Sequence, residues 1–160
     1  IGCGNVGQEL VRLLQPFQCH VRVRDIAGRS EFCRQSGAVE TEFEELIAEA
    51  DIVTLHVPLT EDTENLINKS VLEKMKPSAF LVNTSRGRVV NQEDLHKALV
   101  SGEIAGAGLD VYCEEPPTDI EFLQLSNLMV TPHIGGNAKE AVEAMGMAAI
   151  QNLVEYYNLS

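Results

Sequence analysis

The sequence predicts an α/β fold, a doubly wound parallel sheet with helices on both faces. Three observations predict it. Short apolar runs recur along the 160 residues and alternate with amphipathic stretches. The runs are apolar at nearly every position, as strands covered on both faces are. The gaps between them suit helical crossovers, which join parallel strands right-handedly.

In chain order, the strand-like runs are Val21–Asp25, Ile52–Val57, Phe80–Asn83, Ile104–Asp110 and Leu128–Thr131, each bounded by turn residues. Helix signals lie between them. Leu10, Leu13 and Leu14 follow Asn5 at helical spacing, and Leu95, Ala98 and Leu99 follow Asn91, with Ser101-Gly102 as a C-terminal stop. Thr41-x-x-Glu44 and Ser70-x-x-Glu73 read as capping boxes, and Asn137-x-x-Glu140 as a looser one. Glu114–Thr118 is a loop, and Asn137 to Tyr157 reads as one final helix. Only Ile1 precedes Gly2, so the first strand reads as truncated and the chain as an excerpt of a longer protein.

Composition narrows the function. Twelve basic residues against 24 acidic ones give a net charge of −12, whose field repels nucleic acid and anionic membranes. The charge is uneven: residues 1–34 hold five arginines against Glu9, Asp25 and Glu31, so the acidity lies in the rest. No apolar run reaches the roughly 18 residues needed to span a bilayer. Cys3, Cys19, Cys33 and Cys113 are widely spaced, which argues against a metal site or a redox dithiol. The expectation is a cytoplasmic chain with reduced thiols and no metal.

Gly2-Cys3-Gly4-Asn5-Val6-Gly7 is G-x-G-x-x-G. Its glycines permit a tight turn, close backbone approach to a pyrophosphate and close helix packing, so a Rossmann-type nucleotide site is expected. Asp25 ends the second predicted strand, where a carboxylate accepts hydrogen bonds from an adenosine ribose and repels a 2′-phosphate. NAD is therefore favoured over NADP, although Arg24 and Arg29 lie nearby. Further on, Arg86 and His133 each lie just past a predicted strand, Asp110 ends another, and Glu115 lies in the loop after Asp110. Ligands of open α/β sheets bind at that edge.

His56-Val57-Pro58-Leu59-Thr60, Asn83-Thr84-Ser85-Arg86-Gly87, Gly108-Leu109-Asp110-Val111, Glu114-Glu115-Pro116 and Thr131-Pro132-His133 resemble the D-2-hydroxyacid dehydrogenases. The resemblance runs from Gly2 to about Tyr157 and covers that family's NAD-binding domain. It implies that residues 1–160 are this domain and that a split substrate domain lies outside the chain. It also implies that Arg86 binds a substrate carboxylate, that Glu115 pairs with His133, and that His133 is the acid/base. With the glycine loop, it places cofactor contacts at Gly2, Gly4, Asn5, Val6, Gly7, Asp25, Val57, Pro58, Thr84, Ser85, Arg86, Asp110, His133 and Gly135.

The chemistry suits those roles. A guanidinium grips a carboxylate through two hydrogen bonds, and an imidazole exchanges a proton near neutral pH. Other polar residues have blander readings: Arg88 as a solvated charge, His20 and His96 as surface residues, His56 as packing at a strand end. Glu114 competes with Glu115, which is preferred because it directly precedes Pro116, as in the family.

The leading expectation is an NAD-dependent oxidoreductase interconverting a D-2-hydroxy acid and a 2-keto acid, a homodimer or larger when full length. Gly135-Gly136 and Lys139-Glu140-Ala141 resemble the phosphoglycerate dehydrogenase branch, while Asn137-Ala138 departs from its Ser-Thr. Glyoxylate, hydroxypyruvate and lactate-type substrates stay open. The alternative is an NAD(H)-sensing, corepressor-like module of the same superfamily. The isolated domain is expected to be inactive alone.

Overall fold

The structure, a computed structural model, describes residues 1–158. Helix α1 (Asn5–Leu14) leads through a short 3₁₀ turn (Gln15–Phe17) to strand β1 (Arg22–Val23). Then come α2 (Ser30–Ser36), β2 (Val39–Glu40), α3 (Phe43–Glu49) and β3 (Ile52–Leu55). The second half holds α4 (Lys69–Leu72), β4 (Phe80–Asn83), α5 (Gln92–Ser101), β5 (Gly106–Leu109), α6 (Ile120–Leu123), β6 (Leu128–Val130) and α7 (Lys139–Tyr157).

All strand pairs are parallel, in two ladders: β1 with β2, and β3-β4-β5-β6 in that order. Ile1 and Gly2 join the ladders. Gly2 N–H donates to Arg24 O at 2.8 Å, Ile1 N to Thr54 O at 2.8 Å, and His56 N–H to Ile1 O at 2.8 Å. The spatial order is therefore β2, β1, Ile1-Gly2, β3, β4, β5, β6, that of a Rossmann sheet. The glycine loop emerges where the order reverses, the switch point at which such sheets bind ligands.

Two apolar clusters hold the layers. The larger packs Val53, Leu55, Leu81 and Leu109 of the sheet against Leu46 and Ile47 of α3, Val71 and Leu72 of α4, and Leu95, Ala98 and Leu99 of α5. At roughly 2 kcal/mol per buried aliphatic side chain, this is the rigid floor beneath the strand ends. The smaller packs Cys3, Val11 of α1, Val23 of β1, Cys33 of α2 and Ala38. On the other face of β3–β6, Ile52, Phe80 and Met129 are 64%, 49% and 74% exposed, and α7 buries none of its residues.

Local signals fared unevenly. Phe80–Asn83 forms a strand with the predicted bounds, and Asn91 caps α5, its side chain accepting from Asp94 N–H at 3.1 Å. None of the three expected capping boxes forms. Thr41 N–H donates to Val23 O, continuing the β1–β2 ladder, so its buried side chain bonds Val39 O and caps nothing. Ser70 lies inside α4, whose first N–H, on Lys69, is capped by the Asp94 carboxylate at 2.9 Å. α7 begins at Lys139 without a side-chain cap. On α1 the buried positions are Gly7 and Val11, while Leu13 is 62% exposed, because Gly7 seats the helix against the Gly2 turn. β2, only two residues long, carries too little pattern to be read from sequence.

Candidate active site

The site begins at the glycine loop. Gly2 turns the chain at φ +83°, and a β-carbon there would stand 2.6 Å from His56 O and 2.9 Å from Val57 Cγ1. A β-carbon on Gly7 would stand 2.5 Å from Gly2 O. Only glycine lets the turn, the end of β3 and α1 approach this closely. Gly4 faces open space, with nothing within 4 Å of its missing β-carbon. No side chain caps α1, and its first turn holds no acidic residue. The helix's positive end, with exposed Asn5 and Val6, thus stands open to a phosphate.

Asp25 ties that loop to the end of β1. Its Oδ2 accepts from Cys3 N–H at 2.7 Å and its Oδ1 from Ala27 N–H at 2.8 Å, with Arg29 Nε 3.4 Å from Oδ2. Burial pushes this carboxyl up, but the two amides and the Arg29 charge outweigh it and hold Asp25 below the usual aspartate range. It therefore stays anionic, as an acceptor for ribose hydroxyls must. The open helix end and this carboxylate at the switch point fit a dinucleotide. Pro58 is exposed beyond the end of β3, where its carbonyl accepts from Thr63 Oγ1 at 2.6 Å.

After β4, buried Asn83 organises the turn that carries Thr84, Ser85 and Arg86. Its Oδ1 accepts from Ser85 N–H at 3.0 Å and Ser85 Oγ at 2.8 Å, and its Nδ2 donates to Arg86 O at 2.9 Å. Thr84 is exposed and Ser85 buried. Arg86 is exposed, donates to Ser85 O at 2.7 Å, and forms no ion pair among the described residues. A β-carbon on the next residue, Gly87, would lie 1.9 Å from Tyr112 C and O. Gly87→Ala is expected to cost about 3 kcal/mol or more in urea unfolding, because backbone rather than a pliable side chain must move. An unchanged midpoint and slope would refute the contact.

The structure brings Glu115 and His133 together: His133 Nδ1 lies 2.7 Å from Glu115 Oε2, with the two side chains 47% and 38% exposed. Glu115 Oε1 accepts from Tyr112 N–H at 3.0 Å. The His133 hydrogen bond first, then the Tyr112 amide, hold the Glu115 carboxyl below the usual glutamate range. Glu114 is occupied elsewhere, its Oε2 accepting from Thr118 Oγ1 at 3.2 Å.

Asp110, at the end of β5, turns toward the His133 loop. Its Oδ1 accepts from Thr131 Oγ1 at 2.6 Å and Ile134 N–H at 2.9 Å, and its Oδ2 from Gly135 N–H at 2.8 Å. Residues on both sides of His133 are thereby fixed, and His133 itself sits at φ +52°. The other charged and aromatic candidates lie outside the cluster. His56 Nε2 pairs with Thr54 Oγ1 at 3.1 Å, the His96 ring packs on Phe122 at 5.5 Å, and Arg88 pairs with Glu64. Sequence reasoning passed over Asn83, Tyr112 and Thr131 as site-building residues. Asn83 alone carried a signal, a polar residue closing an apolar strand.

Fold and site define a class: a dinucleotide-binding α/β domain with an acid–imidazole pair at the carboxyl edge of its sheet. The chain belongs to the D-isomer specific 2-hydroxyacid dehydrogenase family, whose NAD binding domain matches residues 1–135, and its cofactor is NAD. It is 41% identical over 156 residues to a glyoxylate reductase of Thermococcus litoralis, covering 98% of this chain and 47% of that protein. A D-3-phosphoglycerate dehydrogenase of Archaeoglobus fulgidus is 37% identical over 155 residues, covering 96% of this chain and 29% of that one. Among solved structures, the NAD-complexed D-isomer specific 2-hydroxyacid dehydrogenase of Lactobacillus delbrueckii ssp. bulgaricus superposes with TM-score 0.89 at 32% identity, covering 98% of this chain and 52% of its own. The chain thus spans about half the length of the glyoxylate reductase and of this dehydrogenase. No helix among the described residues is long and apolar enough to cross a membrane.

Proposed function

We propose that the protein carrying this chain is an NAD-dependent oxidoreductase interconverting a D-2-hydroxy acid and its 2-keto acid. The Glu115–His133 bond of 2.7 Å, at the same sheet edge as Asp25 and the open end of α1, carries this reading. Glu115 engages Nδ1 of the imidazole, which leaves Nε2 to give a proton to a keto oxygen or take one from a hydroxyl. Arg86, free of ion pairs among the described residues, grips the substrate carboxylate and fixes the reacting carbon. Bound NADH supplies the hydride. Asn5 and Val6 hold the pyrophosphate and Asp25 the ribose, with Val57, Pro58, Thr84, Ser85 and Gly135 flanking the same edge.

Similarity to glyoxylate reductases supports glyoxylate as the keto acid, with a phosphoglycerate-type substrate second. A substrate domain outside these residues completes the cleft, and the whole protein acts in the cytoplasm as a homodimer or larger. Fluorescence titration is expected to show NADH binding about tenfold tighter than NADPH, because Asp25 repels a 2′-phosphate. Equal or tighter NADPH binding overturns the Asp25 assignment. The full-length protein with NADH is expected to reduce 2-keto acids, glyoxylate foremost. Bound NADH without turnover of any 2-keto acid would instead mark a cofactor-sensing module.

A further inference from the structure

We propose that Tyr112 is the positioning residue of the Glu115–His133 pair, its amide holding the acid and its hydroxyl holding the segment that carries the imidazole. Neither partner is fixed by packing, since both side chains are more than a third exposed. His133 also sits in the left-handed region at φ +52°, a conformation that persists only where surrounding contacts over-determine it.

Tyr112 supplies contacts on both sides. Its N–H donates to Glu115 Oε1 at 3.0 Å, which leaves Oε2 for His133 Nδ1. Its hydroxyl donates to Thr131 O at 2.8 Å, two residues before His133. The ring is buried, and packing alone would be met by phenylalanine; the hydroxyl adds a bond from the end of β5 to the end of β6 beside those made by Asp110. Its carbonyl lies under Gly87, where even a β-carbon would collide at 1.9 Å, so the Arg86 turn after β4 rests on the same residue. One residue thus ties together the three strand ends that carry Arg86, Glu115 and His133.

The catalytic meaning rests on the function proposed above; the positioning itself is measurable without turnover. Tyr112→Phe keeps the ring and removes only the hydroxyl. In this variant the Thr131–His133 segment keeps its bonds to Asp110 and Leu109 but loses the one to Tyr112, and the His133–Glu115 bond lengthens. The Glu115 carboxyl, held low by that bond, is then expected to titrate about half a pH unit higher by carbon NMR on the chain. Asp110, which pushes Glu115 the other way, is present in both proteins and cancels. Replacing Tyr112 with p-aminophenylalanine restores a donor at the same place and is expected to return the midpoint to its native value.

In the full-length protein Tyr112→Phe is expected to lower kcat about three- to tenfold with the NADH dissociation constant unchanged. A titration curve superimposable on the native one overturns the proposal, as does a raised midpoint that p-aminophenylalanine fails to restore. If the midpoint moves while the native enzyme reduces no 2-keto acid, the positioning stands and the functional reading falls.

Discussion

His133→Ala is expected to lower 2-keto acid reduction by about a thousandfold while leaving the NADH dissociation constant within about threefold. Nδ1 of His133 is held by Glu115 at 2.7 Å, so Nε2 is the atom free to exchange a proton at the mouth of the sheet. Arg86 is a permanent cation without an available proton, and Asp110 spends both oxygens on Thr131, Ile134 and Gly135. No other side chain in the cluster is equipped for the transfer. The groups proposed to hold the cofactor's phosphates and ribose are the start of α1 and Asp25, which owe nothing to the imidazole. A variant that keeps more than a tenth of native turnover would move the proton-donor role away from His133. One that loses NADH affinity and turnover in parallel would make the ring a binding group first.

Asp110→Asn is expected to destabilise the fold by about 2–3 kcal/mol at neutral pH in urea unfolding, although the change is nearly isosteric. The carboxylate accepts three hydrogen bonds while only 7% exposed. An amide must turn its NH₂ toward one of those donors and strand it. Burial pushes the Asp110 carboxyl up, but hydrogen bonds from Thr131, Ile134 and Gly135, with the His133 charge behind them, bring it below the usual aspartate range. The sign follows from linkage: a carboxyl depressed on folding stabilises fully above its unfolded value, near pH 4, and loses that contribution as pH falls through the folded value. The gap between the native protein and the Asp110→Asn variant should therefore be constant above about pH 5 and narrow below pH 4. A gap that widens on acidification would contradict a low carboxyl.

Legibility in the sequence tracked the range of the interactions. The glycine loop was readable because two of its glycines answer demands arising within a few residues: the φ +83° turn at Gly2 and the 2.5 Å approach of Gly7 to Gly2 O. β4 was readable because three successive apolar residues bounded by turn residues leave few alternatives. The capping boxes misled because Ser/Thr-x-x-Glu is a short pattern that tertiary contacts override. Thr41 was claimed by the β1–β2 ladder, and the start of α4 was capped by Asp94, 25 positions along the chain from Lys69. Arg86, Glu115 and His133 stood out by their place at the ends of predicted strands, while their individual roles came only from the family resemblance, since a strand-end charge is by composition an ordinary surface residue.

The chain's local chemistry therefore specified the parallel α/β sheet, the nucleotide loop with its Asp25 partner, and the residue types at the carboxyl edge. Periodicity, glycine geometry and helix dipoles are properties of neighbouring residues and can be read in order. The roles of Asp110 and Tyr112 were decided by the fold. Asp110 and Tyr112 bind partners 21 and 19 positions away at Thr131, and Gly87 meets Tyr112 across adjoining strands. A buried polar atom takes whatever partner the packing delivers, and that partner is set by which strand ends the sheet brings side by side.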